Sequence, residues 1–306
     1  MHILLLLALQ GAPARGDAVL NAAQKAVVNL ADTAALRAAG YNPITEDRIP
    51  DGLPFQGWHW RRVQQGDTLP DVGLDRPSFI MFAPVNGVPT RVGVAYSSLL
   101  LLDAPAPAGL GGDLAAKWHD HFWCDSVPNA PSGFLVNERQ QCTNRGGQLA
   151  PRRTAMVHVW TDVPNPEGQY GNDNPALPFV AVGLKPPSEH DSHDPARLRA
   201  TRALGMALAE TYDSRMPVSN RVQRENRDAA LADSVTARRS AIASLIPDLK
   251  RTQAAGDQSG YDRVAAKTVA EWEALLALYQ RMATTPQLKM QVQRAHERVL
   301  TVSAHH

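Results

Sequence analysis

The apolar positions of this chain change their period twice. Val19, Leu20, Ala23, Val27, Leu30, Ala34 and Leu36 recur at helical spacing, with Asp17 placed to cap and Gly40 to stop, so residues 17–40 predict a helix. From 41 to 77 the prolines Pro43, Pro50, Pro54, Pro70 and Pro77 exclude long regular elements. Only Trp58-His59-Trp60-Arg61-Arg62 stands out there, with His59 read as a polar residue between two packed tryptophans, or as a fourth ligand or orienting donor. Two-residue alternation then takes over. Residues 78–83 and 90–96 flank Asn86-Gly87, the dipeptide suited to a two-residue hairpin turn. Residues 99–102 read as a buried continuation, and 118–124, 154–162 and 179–184 as further strands.

After Pro186-Pro187 the pattern is helical to the end. Asp194-Pro195 is a cap followed by a first-turn proline and opens a helix to about 212. A second helix is expected over 219–246, where Pro247 ends or kinks it, and others over 261–282 and 286–302. The pattern therefore predicts an α+β fold. A mostly antiparallel β, aromatic-rich module over 41–187 precedes a helical module of about four helices over 188–306. Composition agrees: all six Phe and five of six Trp precede residue 180, and residues 1–193 carry 14 Lys+Arg against 18 Asp+Glu, while 194–306 carry 17 against 12.

Residues 3–9 form an apolar run too short to span a bilayer, and Ala12-Pro13-Ala14 follows as a small-x-small cleavage pattern. Residues 1–16 thus read as a signal peptide, which places the mature chain in the periplasm or outside the cell, with no transmembrane segment expected in it. In that setting the two cysteines, Cys124 and Cys142, read as a disulfide; the alternative is Cys124 as a metal thiolate. The net charge of +1 gives no pull toward nucleic acid. The row Arg221, Arg224, Arg227 reads as a solvated basic face with Glu225 and Asp228 as its partners, so no nucleic-acid partner is expected. A partner would be a small molecule or a protein. Serine-hydrolase, nucleotide-loop, dinucleotide and zincin motifs are absent from the sequence.

The chemistry concentrates in Trp118-His119-Asp120-His121 and Met156-Val157-His158-Val159-Trp160. On a strand, alternation puts His119 and His121 on one face, with Asp120 on the other. His158 from a second strand would complete three nitrogens of the kind that hold zinc or copper. Met156 shares the face of His158, and a weak thioether position favours copper over zinc. An open position on such an ion would suit oxidative chemistry with copper, or hydrolysis with zinc. The long Asn-Pro-rich loop over 163–175 is placed to cover the site, with Glu167, Tyr170 and Asp173 as its candidate site residues and Glu167 as a possible base. These features predict an exported metal-binding protein, in its catalytic form a copper-dependent oxidoreductase. The alternative is a non-catalytic binding or structural protein whose histidines are core residues and whose helical module contacts a partner.

Overall fold

The computed structural model describes residues 15–30, 32–44, 54–62, 74–105, 107, 118–125, 134–136, 138–144, 146–187, 194–212, 222–223 and 228–285, with short helical pieces between 288 and 300. The signal-peptide segment, apart from its last two residues, and the Arg221/Arg224/Arg227 row lie outside them.

Two short helices, α1 (Arg15–Ala26) and α2 (Thr33–Ala38), stand where one helix over 17–40 was expected. The break has a local cause: the Asp32 side chain accepts from the Ala35 backbone N–H and starts a new helix. Among the described residues seven strands follow: β1 (Tyr41–Pro43), β2 (Trp58–Arg62), β3 (Phe79–Val85), β4 (Val88–Leu101), β5 (His119–Asp125), β6 (Phe134–Val136) and β7 (Gln148–Trp160). They form one antiparallel sheet in the order β1-β2-β3-β4-β7-β5-β6. The β3–β4 hairpin turns at Asn86 and Gly87, whose φ angles of 50° and 78° are those its two-residue connection needs.

Each face of the sheet has its own core. Ile80, Phe82, Val94, Tyr96, Val157 and Val159 pack against Val19, Ala23, Val27 and Leu36 of the N-terminal segment. On the other face Phe79, Met81, Ala95, Met156 and Trp160 pack against Val163 and Leu177. Alternation along β3, β4 and β7 accounts for this division.

Leu177 opens α4 (Leu177–Ala181), which corrects the expected strand over 179–184. A short apolar run does not distinguish a strand from a buried helical turn. Here Asn174 accepts from the Ala176 N–H and Pro178 sits in the first turn, both helix-start features. Helix α3 (Arg139–Thr143) carries Cys142.

The C-terminal module contains α5 (Pro195–Tyr212), α6 (Ala229–Ala254) and α7 (Gln258–Met282). Described α6 starts at 229, with Asp228 accepting from Leu231 N, rather than at 219, and it runs through Pro247 to Ala254. Burial of Leu245 and Leu249 on either side holds that helix together across the missing N–H. The fourth helix, over 286–302, is described only in fragments. Among the described residues, no helix is long and apolar enough to cross a membrane.

Candidate functional site

The paired positions of the sheet explain how the histidines come together. Residues opposite one another in an antiparallel ladder share a face. His119 stands opposite Met156, and His158 lies two residues along β7 on the same side. His119 and His121 share their face of β5, with ring centroids 4.9 Å apart, and His119 is 5.0 Å from His158. The three predicted histidines therefore form one contact series.

A fourth imidazole extends it. His59 of β2 lies 5.6 Å from His158, with Phe79 on its other side at 5.8 Å. In a flat sheet β2 and β7, three ladder spacings apart, would stand about 14 Å from each other. The sheet must therefore curl toward this face. Gly93 and Ala95 of β4, lying between, leave room for the rings to approach. The series runs His121–His119–His158–His59, from half-buried rings at one end to His158 at 1% and His59 at 5% exposure.

His158 is the best-defined member. Its Nδ1 is 2.6 Å from the Asn172 carbonyl oxygen. A carbonyl only accepts, so Nδ1 carries the proton and Nε2 holds the lone pair. Burial, then the nearby His59, pushes the ring's pKa down to about 3; the bond to Asn172 opposes this shift and His121 adds to it. The ring is neutral at physiological pH. Nε2 is buried and has no hydrogen-bond partner among the described residues. A neutral imidazole with one nitrogen donating to a backbone carbonyl and the other bare is the form that binds metals.

The loop over 163–175 secures this arrangement. Asn165 accepts from Glu167 N and donates to the Asp173 carbonyl, while Asn174 donates to the Val163 carbonyl. Trp160 Nε1 donates to the Gly171 carbonyl at 2.7 Å. The turn-rich order expected of its Asn-Pro pairs is present. Its candidate side chains go elsewhere. Both Glu167 oxygens accept from Arg202 of α5 at 2.5 Å, and Asp173 accepts from the same guanidinium at 3.2 Å. Burial raises the Glu167 carboxyl while Arg202 opposes the shift. A bidentate guanidinium engages this carboxylate, which places it in a structural clamp rather than in the role of base. Tyr170 packs with the core on the opposite face of the sheet.

Met156 lies on the histidine face but is buried in the apolar cluster with Phe79, Met81 and Trp160. Asp120 points to the other side and pairs with the buried Arg153. Cys124 is bonded to Cys142, so it is not a thiolate ligand. Among the described residues no three His, Cys, Asp or Glu side chains converge in a metal-holding arrangement, because the imidazoles meet in a row. Arg202 and Asn172 escaped sequence reasoning. The only trace of Arg202 was an arginine within the apolar run of α5. No protein-family model, curated protein or solved structure matches the chain.

Proposed function

We propose that this chain is an exported metal-binding protein that holds a copper or zinc ion through His158, His119 and His121, with Met156 alongside. The observation that carries the reading is His158 itself, whose buried Nε2 lone pair has its tautomer fixed by the Asn172 carbonyl. The spacing supports it as well. Two imidazoles on one tetrahedral ion at about 2 Å per bond hold their centroids about 5 Å apart, and the His119–His158 and His119–His121 separations are 5.0 and 4.9 Å. Three-ligand binding requires one ring to turn out of the row. His121, at the half-buried end, is the ring with room to do so. The Cys124–Cys142 disulfide supports a compartment outside the reducing cytoplasm. An ion with an open position would supply Lewis acidity, and copper would add one-electron redox chemistry.

A second reading has its own observation. The rings meet at steep angles, 83° for His119–His121 and 61° for His119–His158, as aromatic side chains do in an ordinary core. On that reading the protein is a non-catalytic binding or structural protein. Elemental analysis of the purified full chain and of a His119→Ala/His121→Ala variant separates the two. The metal reading expects about one ion per wild-type chain and its loss in the variant. Less than a few tenths of an ion per wild-type chain would sink it.

A further inference from the structure

We infer that Arg202, on the helical module, is a positioning residue for the histidine site: its grip on Glu167 and Asp173 holds the Asn172 carbonyl that keeps the His158 proton on Nδ1. Arg202 sits on a helix whose other inward residues include Leu198, Met206 and Leu208, and it is 1% exposed. A guanidinium so placed is tolerated only when its charge and donors are matched. Glu167 and Asp173, the two acids that pair with it among the described residues, come from one loop, and its carbon lies 5.6 Å from the Phe55 ring centroid.

What lies between the two acids gives the clamp its purpose. The Gln169 carbonyl accepts from Trp160 N at 3.1 Å, the Gly171 carbonyl from Trp160 Nε1, and the Asn172 carbonyl bonds His158 Nδ1. One guanidinium thus pins both ends of a segment whose carbonyls are stitched onto β7 at and beside His158. Gln56 adds a weaker tie, donating to Asp173 Oδ1 at 3.1 Å and to Asn172 Oδ1 at 3.4 Å. Without the clamp the segment is held only by Gln56, Asn165 and its carbonyl contacts to Trp160, the Asn172 carbonyl loosens, and the His158 proton can move to Nε2, removing the lone pair there. Such orienting partners typically change metal affinity by roughly ten- to hundredfold.

The consequence for affinity rests on the metal reading above; the tautomer does not, and it is measurable without metal. Long-range ¹H–¹⁵N spectra of the metal-stripped full chain, labelled with ¹⁵N-histidine and with His158 assigned through His158→Gln, report the tautomer directly. Wild type is expected to show Nδ1–H alone. Arg202→Met should give a mixture of tautomers and a roughly ten- to hundredfold weaker affinity for added Zn²⁺. Arg202→Lys, which keeps the charge but lacks the fork, should fall between. Asp173→Asn releases one clamp point while keeping its shape, and should shift the tautomer in the same direction by less; it decides the matter if Arg202→Met does not fold. An unchanged Nδ1–H signal in folded Arg202→Met, or in Asp173→Asn if that alone folds, would overturn the inference. A shifted tautomer in a chain that binds no metal would sustain it and remove the metal reading instead.

Discussion

A Cβ at Gly93 would stand 2.6 Å from the Val159 carbonyl oxygen and 2.8 Å from Met81 Cε. The methionine end can move, but the backbone of β7 cannot move without shifting His158. Gly93→Ala should therefore cost about 1–3 kcal/mol, read as a lower denaturant midpoint, and should perturb the His158 resonances. His158 makes its own prediction. Its folded pKa of about 3 lies below the ordinary 6.5, so above pH 7 both folded and unfolded rings are neutral and it contributes no pH dependence. As pH falls through 6.5 only the unfolded ring gains a proton, so stability drops by roughly 1.4 kcal/mol per pH unit until the folded ring protonates near 3. Buried His296, pushed down to about 4, adds the same sign over a shorter window. Urea midpoints between pH 7 and pH 4.5 should fall less steeply in His158→Gln than in wild type; equal slopes would contradict the assignment. At this scale the sequence was legible for His119, His121 and His158, because alternation alone fixes a strand face. The approach of His59 was not, since it depends on the curl of a sheet across two intervening strands.

At the scale of elements, β5 is the strand most in need of support. It pairs on one side with the long β7 but on the other, among the described residues, only with the three residues of β6, and its ladder with β7 shifts register after Phe122. The disulfide compensates, fastening buried Cys124 of β5 to buried Cys142 of α3 and closing the small core of Phe122 and Val136. With the cysteines 18 positions apart in sequence, its loss should cost about 3 kcal/mol. Cys124→Ala/Cys142→Ala should show this in guanidinium unfolding, with faster amide exchange concentrated in β5. Exchange that rises evenly over the whole sheet would argue against a local brace. The pairing and most strands were legible from spacing and alternation. The strand expected over 179–184 is a helix instead because a short apolar run carries no period, and the turn that leads into the helix is made by Asn174, a residue of the preceding loop.

The composition shift near residue 190 reads as a boundary between two modules, yet the described structure carries contacts across it. Phe55, from the proline-rich stretch before β2, is buried in the same core as Ala203, Met206, Trp272 and Tyr279 of the helices. Gly205 of α5 admits it: a Cβ there would stand 2.9 Å from the Phe55 ring. The Asn174 N–H donates to the Phe55 carbonyl, and Arg202 reaches back from α5 to the loop over His158. With apolar burial and a matched buried charge both crossing the boundary, neither half presents a finished surface to the other. The two should unfold as one cooperative unit. Tryptophan fluorescence reports mostly the sheet, which holds most of the tryptophans, and ellipticity at 222 nm reports mostly the helices; the two should give one coincident transition. Phe55→Ala should lower both midpoints together, at a cost of about 3–5 kcal/mol. Separate midpoints in wild type would mean that the halves fold independently, and the path from Arg202 to His158 would then run through a contact too weak to hold the Asn172 carbonyl in place.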